Sequence, residues 1–163
     1  METKINLKKQ EDLYKVDIYD AEGNYTGNYL EFDLGDIELP IRYNNATEEH
    51  KKNLNYIKMQ FALIDKKPDK KGKKLLTSNE EEKYKVLLEY YEREIKAIDK
   101  VIGEGGTLKI LNGRKPYYEM FSDIMEYLEP LKEVFNDGFK KLNDRMINKY
   151  TKIMEEDNVL KNE

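Results

Sequence analysis

The sequence predicts one domain, residues 1–163, of the α+β class and predominantly α-helical, in which an N-terminal β-hairpin is followed by about four to five amphipathic helices. A length of 163 residues suits a single domain built around one core. Apolar side chains alternate with polar ones over residues 13–34, as in a strand, whereas later they recur with the spacing of a helix. Because 39% of the residues are hydrophobic and 38% are charged, we expect a thin core and a strongly charged exterior.

The β-hairpin is predicted within residues 13–39. The segments LYKVDIYD and YTGNYLEFDL alternate as strands do, and the intervening AEGN contains Gly23 and Asn24, which tolerate the positive φ of a tight turn. GDIELPIRY is interpreted as a further short strand, whose pairing is limited by Pro40. The side chains expected to share the faces of the two strands are Tyr14, Val16 and Ile18 on the first and Leu30 and Phe32 on the second.

The helical region is predicted over residues 45–155. Its first helix starts near Asn45, where Asn44, Asn45 or Thr47 is expected to cap it. The lysine-rich segment that follows contains proline and glycine, so residues 66–77 are predicted to form an exposed loop. The apolar stripe of this first helix is His50, Leu54, Ile57, Phe61 and Ile64.

The second helix is predicted to open with a capping box formed by Ser78 and Glu81. It ends at Gly103, Gly105 and Gly106, because glycine adopts the left-handed conformation that stops helices. Its predicted apolar stripe is Tyr84, Leu88, Tyr91, Ile95, Ile98 and Ile102.

Three shorter predictions complete the chain. The segment TLKILN forms a helical turn that ends at Asn112 and Gly113. Pro116 suits the first turn of the next helix, where its missing N–H has no partner to lose. Pro130 bends that helix or starts its successor, and the Asp-Gly pair at 137–138 offers another interruption.

Side chains that carry catalysis are scarce. Cysteine is absent and His50 is the single histidine, which excludes disulfides, thiolate metal sites and a histidine-based metal cluster. GEGGTLKI lacks the Gly-Lys-Ser/Thr of a P-loop and follows a helix, so it is interpreted as a helix stop. The glutamates of NEEEKY and EYYEREIK fall mostly on wet helix faces, and His50 is expected to be a partly buried packing residue. We therefore expect no enzyme activity, no metal and no cofactor.

The charge balance argues against polyanionic partners. The net charge is -4, from 29 basic and 33 acidic residues, so no overall field favours DNA or an anionic membrane. The lysines of residues 66–77 lack the neighbouring aromatic and arginine side chains of a nucleic-acid site, which favours a solvated loop. The amino terminus has no apolar signal core, and no apolar run reaches the roughly 20 residues of a membrane span. We expect a soluble, cytoplasmic protein with no nucleic-acid or membrane partner.

LNGRKPYYEM, residues 111–120, is interpreted as a rigid corner between two helices. Asn-Gly ends one helix, and the proline disfavours helix at Lys115 before starting the next. Arg114 is one of four arginines among 29 basic residues. It is expected to bond helix-terminal carbonyls or a carboxylate within the fold, in preference to an external contact.

The segments FDLGDIELPIRYNNATEEHKKN, DKKPDKKGKK and GEGGTLKILNGRKPYYEMFSDIMEYLEPL resemble a family from the tail gene clusters of long-tailed bacteriophages and prophages of Gram-positive bacteria. Its members look like tail assembly chaperones, and the resemblance covers roughly residues 30–135. It implies a mainly helical protein that forms homo-oligomers in the host bacterial cytoplasm and is absent from the mature virion. Its partner is the phage tape measure protein, which such chaperones coat while tail tube subunits polymerise around it.

Amphipathic helices and the lack of catalytic groups are compatible with a protein that shields another chain's apolar helices. Each tyrosine and methionine named below has an at least equally strong alternative as part of this protein's own core, and so has Met125. An alternative function is a phage- or mobile-element-encoded inhibitor that binds a host defence protein, because a small acidic protein can occupy a basic nucleic-acid channel. The candidate contact residues are Arg114, Tyr117, Tyr118, Met120, Tyr90 and Tyr91.

Overall fold

The computed structural model describes residues 13–161, which form a two-stranded antiparallel hairpin followed by five helices. The predicted α+β, predominantly helical class is confirmed. In chain order the elements are β1 (Leu13–Tyr19), β2 (Tyr25–Asp33), α1 (Leu39–Asp65), α2 (Ser78–Ile102), α3 (Gly106–Leu111), α4 (Met120–Leu128) and α5 (Leu131–Leu160).

The hairpin lays one face on the helices. Ile18, Leu30 and Phe32 are buried, as the alternation predicts. The turn between the strands uses Gly23 at φ 83°, and the Asp20 carboxylate accepts the Asn24 N–H at 2.8 Å. The strand pattern and the turn residue therefore predict where the hairpin forms, and packing on the helices stabilises it.

α1 and α2 pack side by side in opposite directions and form the longest packed pair of the described chain. Ion pairs at both ends show the direction: Lys100 meets Glu49 near the start of α1, and Lys83 meets Asp65 at its end, each at 2.5 Å. The predicted exposed loop between the two helices, residues 66–77, is confirmed as exposed over most of its length.

The main core lies at one end of the α1–α2 pair. There the hairpin, α3, α4 and the first turns of α5 pack around the start of α1 and the end of α2. Toward the lysine-rich loop the pair has few buried side chains, among them Ile57 and Ile64 of α1. The buried cluster is Ile18, Leu30, Phe32, Leu39, Ala46, Ala97, Ile98, Val101, Ile102, Leu111, Met120, Phe121, Ile124, Met125, Leu128 and Leu131.

The first two helices start differently from the prediction. α1 begins at Leu39, because Pro40 occupies the first helical turn, so neither the further strand nor a cap near residue 45 is present. α2 is capped by Thr77, whose hydroxyl accepts the Glu80 N–H while the Glu80 carboxylate accepts the Thr77 N–H. The predicted capping box of Ser78 with Glu81 is therefore shifted by one residue.

The buried face of α2 is also rotated from the predicted stripe. Tyr84 and Leu88 are 54% and 63% exposed, because only α1 covers this part of α2. The buried positions instead include Tyr90, Glu94 and Ala97, two of which are small or charged and escape a search for large apolar side chains.

Three predicted boundaries in the second half were wrong and one was confirmed. α4 starts at Met120 rather than around Pro116, and α5 continues through the Asp-Gly pair at 137–138. A Cβ at Gly138 would lie 3.0 Å from the Leu34 carbonyl oxygen, so this glycine allows close packing against the hairpin's exit. Pro130 starts α5, as the sequence predicts, and α5 runs to Leu160, beyond the predicted limit of residue 155.

The glycine turn after α2 is held by one carboxylate. Gly103 and Gly105 have φ of 100° and 74°, which confirms the predicted helix stop. The Asp99 side chain accepts the Gly105 N–H at 3.0 Å, the Thr107 N–H at 2.9 Å and the Thr107 hydroxyl at 2.6 Å. Because Thr107 is fully buried, these bonds satisfy groups that water cannot reach. The next stop, at Asn112 and Gly113, also has positive φ, as predicted.

Candidate functional site

The structure separates the six candidate contact residues into buried and accessible ones. Tyr90 and Met120 are 0% and 1% exposed, so both side chains lie in the protein's own core. Tyr91 and Tyr117 are half-buried, and Tyr118 is 45% exposed with its ring stacked on Tyr90 at 5.5 Å between centroids. A contact between the accessible tyrosines and a partner protein stays a prediction.

Arg114 lies exposed at the corner between α3 and α4. Its guanidinium sits 5.9 Å from the centre of the Tyr117 ring, a cation–π contact, and within residues 13–161 it bonds no carbonyl or carboxylate. Tyr117 in turn donates its hydroxyl to Asp123 at 2.9 Å. Burial first, and then this hydrogen bond, raises the pKa of Tyr117. The hydrogen bond from Tyr117 to Asp123 thus stabilises the corner, and Arg114 lies at the surface beside it.

A buried polar cluster joins α1 to α2 and was not predicted. Glu94 is 1% exposed and receives two contacts from α1: His50 Nδ1 at 2.5 Å and Asn53 Nδ2 at 2.6 Å. Both distances are those of hydrogen bonds. The His50 ring also stacks flat on Phe121, with centroids 4.0 Å apart, which confirms its expected role as a partly buried packing residue.

The cluster is arranged to fix helices rather than to transform a ligand. Both Glu94 oxygens are occupied by α1 donors, and the carboxylate is shut off from solvent, where a substrate would have to approach. The sequence signal for it is the presence of two polar residues, His50 and Asn53, one turn apart on the buried face of α1. Such a pair indicates a charged partner across the helix interface.

The Tyr90 hydroxyl lies beside this cluster and makes no hydrogen bond with any residue of the described chain. Burial, and then the nearby charge of Glu94, raises the pKa of Tyr90, so the hydroxyl keeps its proton. A buried unpaired hydroxyl costs stability. Tyr90→Phe is therefore expected to raise the free energy of unfolding, by up to about 1 kcal/mol, in urea denaturation.

The matched control is Tyr117→Phe, which deletes a hydroxyl that does donate, to Asp123. It is expected to lower the free energy of unfolding by about 1 kcal/mol. Equal losses in the two variants would mean that the Tyr90 hydroxyl is paired with Glu94 in solution.

Among the elements of the described chain, α5 carries the most exposed large apolar side chains. Every residue from Asn143 to Leu160 is exposed, although α5 carries large apolar side chains at helical spacing throughout. At 3.6 residues per turn these side chains occupy a sector of roughly 140°. We call this surface the α5 stripe; it consists of Phe139, Met146, Ile147, Tyr150, Ile153, Met154 and Leu160.

The α5 stripe continues into apolar depressions on the body of the fold. Phe139 and Leu142 line a shallow depression beside Leu34 and Ile37. Phe135, one turn earlier, borders that depression and also an apolar cleft of about 240 Å³ between the hairpin and α1. Its ring packs on Phe32 at 5.6 Å between centroids, which anchors the first part of α5. Only the N-terminal part of α5, up to about Leu142, is therefore covered by the rest of the fold.

Several of the remaining charged groups form surface pairs. In the lysine-rich loop, Lys67 pairs with Glu82 at 2.7 Å and Lys74 with Glu81 at 3.8 Å, which offsets part of its charge. Among residues 13–161, no three His, Cys, Asp or Glu side chains lie together so as to hold a metal ion. Within the same residues, no helix combines the length and apolar character needed to cross a membrane.

Comparison of the chain with protein-family models, with curated proteins and with solved structures finds no match. The site is therefore interpreted from its own geometry, in which an exposed apolar helix is the feature most suited to binding.

Proposed function

We propose that this protein is a phage tail assembly chaperone, a non-catalytic binding protein that shields the tape measure protein in the host cytoplasm. The observation that carries the proposal is the α5 stripe. An amphipathic helix that exposes its apolar face suits the helix-on-helix contacts by which one chain covers another. Its methionines add side chains that adapt to partners of varied shape.

The resemblance supports the same proposal from a different part of the chain. The segments that resemble tail assembly chaperones cover roughly residues 30–135, which form the body of the fold, whereas most of the α5 stripe lies after them. The stripe and the resemblance are thus two separate reasons for proposing a protein-binding role.

Co-expression with the tape measure protein of the same tail gene cluster tests the proposal. The chain is expected to raise the soluble amount of the tape measure protein and to copurify with it. Met146→Ser combined with Ile153→Ser is expected to abolish both effects, because it removes the middle of the stripe. A tape measure protein that stays insoluble and unbound beside the unchanged chain would refute the proposal.

The matched control is Met59→Ser combined with Leu88→Ser, on α1 and α2. These two side chains are 65% and 63% exposed, against 61% for Met146 and 48% for Ile153, so the loss of apolar surface is similar. This control is expected to bind as well as the unchanged chain. An inhibitor of a host defence protein, the alternative expectation, would leave the tape measure protein insoluble in every case.

A further inference from the structure

We infer that the α5 stripe is covered, in the free protein, by the α5 helix of a second copy of this chain, with the two helices antiparallel and a two-fold axis at Tyr150. This inference deepens the proposed function. It rests on that function only in taking the tape measure protein as the partner that later displaces the second copy. The self-association itself stands on the sequence and exposure of α5.

The first reason is the symmetry of the stripe about Tyr150. In an antiparallel pair, residues meet when they lie on the same flank of the interface and at nearly equal distances on opposite sides of the axis, so apolar positions must mirror apolar positions. They do so here to within one residue, and the two polar residues inside the stripe, Asn143 and Asp157, also mirror each other. The facing pairs are Met146 with Ile153, Ile147 with Met154, Asn143 with Asp157, and Tyr150 with its own copy.

The second reason is the distribution of charge along α5. Five of the six charged residues in the segment 140–152 are basic, whereas all three in the segment 153–160 are acidic. By helical spacing, Arg145 and Glu156 lie on the same flank of the stripe. The axis at Tyr150 brings Glu156 of one copy beside Arg145 of the other, whereas a parallel pair would place like charges together.

The third reason is size. Large apolar side chains bury roughly 150–250 Å² each when aromatic and somewhat less when aliphatic. Tyr150 is 71% exposed and Met146 61%, so pairing two stripes covers much of this area. The total for two copies is on the order of 1,000–1,400 Å², which is the lower part of the range of specific interfaces.

The fourth reason is continuity with the body of the fold. In the antiparallel pair, Leu160 of one copy reaches the level of Phe139 and Leu142 of the other. Those two residues line the apolar depression beside the hairpin's exit. The end of each helix thus meets an apolar surface on the partner rather than solvent.

Cysteine cross-linking tests the geometry, because the natural chain contains no cysteine. Asn143→Cys and Asp157→Cys are made in separate full-length chains and oxidised alone and as a mixture. In the antiparallel pair the two Asn143 positions lie roughly 21 Å apart, too far for a disulfide. We therefore expect a cross-linked dimer in the mixture and little in either chain alone. Self-linking of Asn143→Cys would show a parallel pair and overturn the inference.

Charge reversal tests the energetics by sedimentation equilibrium of the chain without any client. Arg145→Glu and Glu156→Arg are each expected to weaken dimerisation about tenfold or more. The double variant, which restores opposite charges across the pair, is expected to recover most of the affinity. Lys58→Glu on the exposed side of α1 is the matched control and should leave the dimer unchanged. Failure of the double variant to recover would overturn the pairing.

The two proposals fail differently. A chain that is monomeric by sedimentation, folded by circular dichroism and still able to solubilise the tape measure protein overturns the antiparallel dimer alone. A cross-linkable dimer that never binds the tape measure protein overturns the chaperone function and leaves the dimer in place. Met146→Ser combined with Ile153→Ser is expected to remain folded, since both side chains are exposed, and to be monomeric.

Discussion

Glu94→Ala is expected to lower the free energy of unfolding by about 3–5 kcal/mol, because it removes the shared partner of a buried polar cluster and leaves a cavity. The carboxylate is 1% exposed and takes its two contacts from His50 and Asn53. Without it, both groups lose their partner across the helix interface, and the missing side chain leaves a void between α1 and α2. Urea denaturation followed by circular dichroism measures the change.

Two further variants separate the causes of this loss. Glu94→Gln keeps the size but turns one acceptor into a donor, so we expect an intermediate loss of about 1–3 kcal/mol. Replacing Glu94, His50 and Asn53 together by Met, Leu and Leu removes every unpaired group and is expected to recover most of the stability. Glu92→Ala, at an exposed position of the same helix, is the control and should change little. A loss below about 1 kcal/mol for Glu94→Ala would contradict a structural role for the cluster.

Asp99→Ala is expected to lower the free energy of unfolding by about 2–4 kcal/mol. The side chain accepts three hydrogen bonds, two of them from the fully buried Thr107 and one from Gly105. Its loss leaves the Thr107 N–H and hydroxyl without this acceptor inside the protein, and it releases the turn that connects α2 to α3. Differential scanning calorimetry of the full chain measures the effect.

A double-mutant cycle with Thr107→Val shows whether the Thr107 hydroxyl contributes as the geometry implies. In the Asp99→Ala background the hydroxyl is unpaired, so removing it is expected to cost about 1 kcal/mol less than in the unchanged chain. Asp137→Ala, on the exposed side of α5, serves as the control for loss of a carboxylate. Simple additivity of Asp99→Ala and Thr107→Val would mean that the carboxylate acts through the backbone alone.

Local patterns predicted the elements that depend on near neighbours. The hairpin followed from alternation and Gly23, and the stops at Gly103 and Asn112 followed from residues that adopt positive φ. The prediction of the start of α2 failed because the sequence offers two possible capping boxes there. Thr77 and Ser78 each precede a glutamate by three residues, and only the course of the chain before α2 selects Thr77.

The other failures required knowledge of distant contacts. Gly138 was interpreted as a helix break, because the approach of Leu34 that makes glycine necessary is invisible in the sequence. The burial of Glu94 was not predicted, because its partners His50 and Asn53 lie more than 40 residues earlier in the chain. The candidate contacts Tyr90 and Met120 were indistinguishable from core residues by spacing, and burial decided their place.

Because the core lies at one end of the α1–α2 pair, local stability is expected to differ between the two ends of the molecule. Near the lysine-rich loop, α1 and α2 cover each other alone, so their far turns are held by a few side chains such as Ile57 and Ile64. Amide protons in those turns are expected to exchange with deuterium well before those near Ile98, which lies in the main core, to which all seven elements contribute buried side chains. On heating, local unfolding of the α1–α2 pair is therefore expected to begin at the lysine-rich loop and to extend toward the hairpin.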